Sequence, residues 1–266
     1  MNSKSHRERS NKITASIYAI LLAMGLGGCK PPLTSLQHAQ LQLFDSSTQL
    51  SNTGIDALIA PYKLQIDADM SAVVGYTKQA IHKKDTNGDL GNMVADLLLQ
   101  YVHFKKNIPI DLCVLNNGGL RAPLPSGPVT LGKIYELMPF DNGLVVVTLN
   151  KEQLLKMIAV VGRRGEPIAG HGSIQLIQTQ DGASYGIIAN DNKVDFLRSK
   201  TSFRILTSDY LANGGDDFVV FQESSFIEDI NILVRDGIKE SFMAFTSELL
   251  PISAPKDLRI VKLASE

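Results

Sequence analysis

Two glycine-rich turns carry the residues best suited to chemistry. The first is Asn116-Asn117-Gly118-Gly119-Leu120-Arg121, which follows the apolar run Ile108 to Leu115. Paired glycines let a backbone approach a ligand closely or take positive φ, and the N–H groups exposed there suit an anion. Arg121 adds a planar charged fork that matches a carboxylate or a phosphate. The second turn lies within Asp209-Tyr210-Leu211-Ala212-Asn213-Gly214-Gly215-Asp216-Asp217-Phe218. An aromatic ring beside a Gly-Gly-Asp turn offers a rigid π face on which a flat ligand can stack. Taken singly, each turn is equally a plain reversal, the first with a solvated arginine and the second with a core phenylalanine.

Other catalytic arrangements are poorly supplied. A two-metal phosphoesterase needs about six to eight His, Asp and Asn ligands to hold its ions about 4 Å apart. The chain has five histidines, His6, His38, His82, His103 and His171, and they are scattered. No Asp-x-His, Gly-Asn-His-Asp/Glu or Gly-His-x-His cluster occurs. Ser173 and Ser208 lack the context of a nucleophile elbow. Cys113 sits inside an apolar run, where burial raises a thiol and makes it inert. The acidic pairs Asp216-Asp217 and Glu228-Asp229 read as turn caps. A self-contained enzyme is not expected, and neither a catalytic residue nor a metal ligand is assigned.

The elements that must position the two turns follow from periodicity. Apolar residues at 55, 58, 59 and 62 predict a helix over 52–65, and 71–81 alternates like a strand. Leu90, Met93, Val94, Leu97, Leu98, Tyr101 and Val102 form one helical stripe. Thr130 is placed to cap a short helix through Leu137, which Pro139 stops. Leu144 to Leu149 reads as a buried strand, and Asn150 with Gln153 as a capping box opening a helix over 151–161. The second half predicts strands at 173–178, 185–189, 194–197 and 202–208, a helix over 236–249 and a closing strand at 258–263. Helices mixed with hairpins point to a mixed α/β (α+β) fold, with sheet layers covered by helices.

The amino-terminal stretch has a different grammar. Lys4, Arg7, Arg9 and Lys12 precede the apolar run Ile13 to Leu26, and Gly27-Gly28-Cys29 follows. This is the order of a secretory signal, and the run falls short of the ~20 apolar residues that a span requires. Leu26-Gly27-Gly28-Cys29 resembles the bacterial lipobox, in which the cysteine is acylated and becomes the first mature residue. Each buried CH₂ of the acyl chains would contribute ~0.8 kcal/mol to membrane attachment. An uncleaved signal anchor, or a plain signal with a chance cysteine, is the alternative. The expected organisation is a signal segment at 1–28, a Gln-, Ser-, Pro- and Thr-rich tether at 29–53 and one folded domain at 54–266. Loss of 1–28 moves the net charge from −1 to −4, and no basic stripe remains for nucleic acid. Lys30, rather than an aspartate after the cysteine, points by the usual sorting rule to the outer membrane or periplasmic face more than to the inner membrane.

The two turns also occur in order with other signatures. The stretch from Asn116 to Leu149 joins the Asn-Gly-Gly-x-Arg turn, a Gly-Pro-Val-Thr helix start, Pro139-Phe140-Asp141-Asn142 and a valine-rich strand. Leu90-Gly91-Asn92 opens the helix before it, and the Tyr210 to Phe218 segment follows it. This run closely resembles the C-terminal domain of the 5′-nucleotidase family over about residues 55–263. That domain binds the nucleoside part of the substrate, and a separate domain holds two divalent metal ions. The resemblance implies that Asn116, Gly118, Gly119, Arg121 and Asp216 contact a nucleotide and that Phe218 stacks on its base. It also implies that Phe140 and Asn142 support the pocket wall and that Glu223 meets the ribose hydroxyls.

Three positions depart from the family pattern. The arginine common before the Leu-Gly-Asn helix is replaced by a stretch containing Thr86, with Lys83 and Lys84 the nearby cations. The second base-sandwiching aromatic aligns with Pro167, leaving His171 as the nearest flat ring, and the glycine after Gly-Gly-Asp is Asp217. The expected function is therefore nucleotide recognition in a split 5′-nucleotidase. The two metals and the hydrolysis would come from a separate metallophosphoesterase chain, with a nucleoside monophosphate as ligand. The alternatives are a lipid-anchored nucleoside- or nucleotide-binding protein without catalysis, or a fold whose pocket no longer binds.

Overall fold

In the computed structural model, residues 53–170, 174–178, 185–189 and 200–261 are described. The signal segment, Cys29, most of the tether, His171 and the strand expected at 194–197 lie outside them.

The strongest apolar runs become the central strands. A five-stranded sheet is built from β2 (Leu112–Val114), β4 (Gly143–Asn150), β5 (Ile168–Gly170), β8 (Ser202–Ser208) and β9 (Phe226–Leu233). Their order is β5-β2-β8-β4-β9; β2 and β8 run parallel and the other neighbours antiparallel. The inner strands β2, β4 and β8 are buried on both faces, which explains runs without polar alternation. Cys113, Leu144, Val146 and Leu206 enter one core with the stripe of α2 (Asp89–Gln100) and with α6 (Val234–Phe245). Leu112, Val114, Val145, Val147 and Ile205 enter the other, with Leu154, Met157, Ile158 and Val161 of α4 (Lys151–Arg164). Each strand therefore feeds two cores through its period of two.

Smaller elements complete the layers. β1 (Val73–Thr77) pairs antiparallel with β3 (Gly127–Thr130), and β10 (Ile260–Val261) joins β6 (Ile174–Gln178) and β7 (Tyr185–Ala189). The capping expectations hold in detail. Thr130 accepts the Lys133 N–H at the start of α3 (Leu131–Leu137). Asn150 and Gln153 exchange both bonds of a capping box at the start of α4. The first helix, α1 (Thr53–Ser71), runs past the expected end at Gln65 and leaves Ile55, Leu58, Ile59 and Tyr62 exposed.

Several expected boundaries move. The stripe of α2 continues through a π-turn at Tyr101–Lys105. The helix predicted to reach Leu249 ends at Phe245, because Thr246 turns extended and its hydroxyl accepts the Tyr76 N–H from β1. β5 and β9 were not expected from periodicity.

Candidate functional site

The two glycine-rich turns meet at one end of the sheet. A cavity of about 320 Å³ lies between them, lined by Asn116, Gly118, Gly119, Phe140, Asn142, Tyr210 and Asp216. A second hollow shares Asn142 and Tyr210 with it, so Tyr210 stands between the two spaces. Six of the nine residues expected to bind a nucleotide thus line one cavity: Asn116, Gly118, Gly119, Phe140, Asn142 and Asp216.

The first turn leaves β2 as a single 3₁₀ turn at Asn117–Gly119, closed by the Gly119 N–H donating to the Asn116 carbonyl. Neither Gly118 nor Gly119 takes positive φ, contrary to one reason offered for paired glycines. Gly119 is instead confined by internal packing: a Cβ there would stand 3.0 Å from the Asn116 amide oxygen and 3.3 Å from Met138 Cε. Asn116 Nδ2 donates to Asp216 Oδ2 at 2.7 Å, which ties the first turn to the second. Arg121 Nη1 donates to the Gly118 carbonyl at 3.3 Å, so its guanidinium braces the turn from outside the cavity lining.

The second turn is strained and reverses the chain sharply. After the short helix α5 (Asp209–Ala212), capped by Ser208, Gly214 takes φ +88°. Asp216 and Asp217 follow at φ +51° and +67°. Consecutive non-glycine residues in this region are uncommon, each costing of order 1–3 kcal/mol, and such strain clusters at ligand sites. The reversal decides which aromatic faces the cavity. Phe218 is 0% exposed, stacked on Phe221 with centroids 5.2 Å apart and planes 9° from parallel. The base-stacking role expected for Phe218 is therefore corrected: its ring belongs to the core.

Tyr210 holds the cavity face instead. It is 45% exposed, and its ring lies over Gly215, where an added Cβ would come within 2.5 Å of Cζ. Phe140, 42% exposed, lines the same cavity. Sequence reasoning gave Phe140 only a supporting role and assigned the stacking to Phe218, passing over Tyr210. The signal was present in Tyr210, on a short polar-capped helix before the turn rather than on an apolar run after it.

A buried arginine fixes the Phe140 segment. Arg235, at the start of α6, donates to the Met138 and Phe140 carbonyls, each at 3.4 Å, and to Asp141 Oδ1 at 2.6 Å. Its guanidinium also stacks 4.2 Å from the Tyr135 ring centroid. Asn142 accepts the Val234 N–H through its carbonyl, so the wall carrying Phe140 and Asn142 is strapped at both ends. Nothing local in the sequence marks Arg235 for this task.

The remaining expected residues stand apart. Glu223 pairs with Lys156 on the outer side of α4, and its carbonyl accepts from Gln153, so it does not reach the cavity. Pro167 is buried against Gly91, where an added Cβ would be 2.4 Å from Pro167 Cγ. Burial pushes the Cys113 thiol well up, consistent with an inert side chain. Among the described residues, no group of three or more His, Cys, Asp and Glu is arranged to hold a metal ion. The described residues therefore offer no donor set that fits a dimetal centre. Among the described residues, no helix is long and apolar enough to cross a membrane.

Comparison with known proteins bears on the family and the fold. Residues 71–223 match the family described as 5′-nucleotidase, C-terminal domain. The chain is 25% identical over 206 residues to the trifunctional nucleotide phosphoesterase protein of Bacillus subtilis, covering 71% of this chain and 14% of that protein. It is 22% identical over 221 residues to a cell wall protein of Listeria monocytogenes, covering 71% of this chain and 26% of that one. The crystal structure of a 5′-nucleotidase precursor from Thermus thermophilus superposes with a TM-score of 0.64 at 25% identity. That match covers 80% of this chain and 44% of the other. The chain thus spans less than half the length of these relatives. The order of the motifs, the mixed sheet and the cavity between the two turns coincide with the family match: the chain belongs to the 5′-nucleotidase family through its C-terminal domain.

Proposed function

We propose that this chain recognises the nucleoside part of a nucleotide and works with a separate metallophosphoesterase chain as a split 5′-nucleotidase. The observation that carries the reading is the cavity itself. Two half-exposed aromatic rings, Phe140 and Tyr210, share one lining with the amides of Asn116 and Asn142 and the carboxylate of Asp216. Rings of this kind supply stacking to any base, and amides and a carboxylate can satisfy base edges and ribose hydroxyls. A base and ribose held here would orient the phosphate for attack at metals carried by the partner. Relatives that pair this domain with further sequence in one chain support the division of labour.

The lipobox-like Leu26-Gly27-Gly28-Cys29 places the protein, in this reading, at the bacterial cell envelope through an acyl anchor on Cys29. Similarity to a cell wall protein is compatible with that location.

Calorimetric titration with adenosine and with AMP tests the recognition step, and saturable binding of both is expected. Absence of binding by either ligand would overturn the reading. Phosphate release from AMP should then require this chain together with the metallophosphoesterase that co-purifies with it. Equal release from that enzyme alone would refute the split assignment and leave a binding protein.

A further inference from the structure

Arg164, the last residue of α4, does not line the cavity, yet it bonds directly to the second turn and, through Glu166, is linked to the first. Its Nη2 donates to Asp216 Oδ1 at 3.0 Å and its Nη1 to Asp217 Oδ2 at 3.2 Å. Its Nε donates to Glu166 Oε1 at 3.1 Å. Glu166 is almost fully buried, and its other oxygen accepts the Asn117 N–H at 2.6 Å. Asn117 Nδ2 donates in turn to the carbonyls of Gly165 and Asp85, both at 3.0 Å. With the Asn116–Asp216 bond, these contacts close a ring running from the first turn through Glu166, Arg164 and Asp216 back to the first turn.

We propose that Arg164 is a positioning residue for the nucleoside pocket, acting through Asp216; the inference rests on the recognition reading above. Asp216 and Asp217 both occupy the left-handed region, where non-glycine residues stay only if their surroundings hold them. Arg164 supplies that hold, with one fork arm on each carboxylate. Between Arg164 and Asn116, the Asp216 carboxylate keeps one orientation at the cavity edge, with a lone pair on each oxygen left for a ligand. The Gly165 C-cap at φ +75° ends α4 so that the guanidinium reaches all three carboxylates. A lysine presents a single point charge and cannot span Glu166, Asp216 and Asp217 together, so it would not replace the fork.

The test is titration of adenosine and of AMP into full-length wild type, R164Q, R164K, D216N and the R164Q/D216N double variant. Each is measured well below its own melting temperature. R164Q is expected to weaken both ligands alike, by about tenfold or more, with R164K close behind it. In the D216N background, removal of Arg164 should cost little further, because its effect passes through that carboxylate. Wild-type affinity in R164Q would overturn the proposal, as would additive losses in the double variant. A loss confined to AMP would also overturn it, since that marks direct phosphate contact. If R164Q does not fold, D217N removes only the solvent-side arm, and about a threefold loss for both ligands is expected in place of none. Failure of wild type to bind either ligand is a separate result, and it refutes the recognition reading itself.

Discussion

The reassignment of the stacking ring from Phe218 to Tyr210 makes opposite predictions for two single substitutions. Phe218 is fully buried and stacks on Phe221, so Phe218→Ala removes a whole ring from a packed core. Substitutions of this kind cost about 3–5 kcal/mol. For a folded unit of this size, ~1 kcal/mol moves the melting temperature by about 2–4 °C, so a fall of about 6–20 °C is expected. Phe218→Leu keeps most of the volume and should cost appreciably less. Tyr210 is nearly half exposed, and Tyr210→Ala should change stability by no more than about 1 kcal/mol. Its effect should fall on ligand affinity instead. Stacking of a base on an aromatic ring is worth about 1–3 kcal/mol, which is about a 5- to 160-fold loss in affinity for adenosine. Scanning calorimetry and isothermal titration on the same three variants separate the two columns of effect. The reasoning fails if folded Phe218→Leu loses affinity as strongly as Tyr210→Ala, or if Tyr210→Ala binds adenosine like wild type.

Three further outcomes are expected. Gly215→Ala places a Cβ 2.5 Å from Tyr210 Cζ and 2.7 Å from the Tyr210 carbonyl oxygen, so both the ring and the backbone of α5 must shift; adenosine affinity should drop at least as far as in Tyr210→Ala, and unchanged affinity would show that the ring does not bear on the site. Asn150→Ala removes half of the capping box at the start of α4 and should lower stability by about 1 kcal/mol; thermal melts matching wild type would contradict the cap's contribution. Asp96, bonded to the buried Arg259, has its carboxyl pushed up by burial against the pull of that guanidinium. A raised acid favours the folded state below the ordinary aspartate value of 3.8, and the contribution is lost as pH rises through the folded value. Denaturant midpoints should therefore decline across that window in wild type and lose this step in Asp96→Asn; identical pH slopes would refute it.

What the sequence made legible was mostly local. The Asn150–Gln153 box and the Thr130 cap depend on residues three apart, so their spacing specifies the bonds that form. The apolar runs of β4 and β8 were legible because a strand buried on both faces needs no alternation. β9 escaped because its partner is remote: Phe226–Leu233 pairs with β4 some eighty residues earlier, and a register shift near Gly143 breaks its pattern. β5 escaped because three residues within a Gly- and Pro-containing stretch resemble a loop. In the site, both turns and six lining residues were readable from motif order. The choice between Tyr210 and Phe218 was not, because it is made by the combined left-handed conformations of Gly214, Asp216 and Asp217, whose joint effect on the chain direction only the folded turn defines. Arg164 and Arg235 were invisible for a related reason: each holds the site from a distant element, at distances that only the assembled fold defines.

The charge of the site argues for the same division of labour as the fold. The cavity lining contains one carboxylate, two amides and two aromatic rings, and no cation among the described residues. Arg164 is committed to three carboxylates and Arg235 to the Phe140 wall, while Arg121 stands outside the lining with one N–H on the Gly118 carbonyl. A phosphate drawn into such a lining would meet Asp216 without a counter-charge, at a cost that grows as water is excluded. The uncharged base and ribose meet no such penalty. On the proposed reading, a nucleotide would therefore enter by its nucleoside end, with the phosphate left pointing outward. Comparing adenosine with AMP measures this directly: the chain alone should bind AMP no more tightly than adenosine. Only a chain bringing its own cations should reverse the order, and a large AMP preference in this chain by itself would refute the argument.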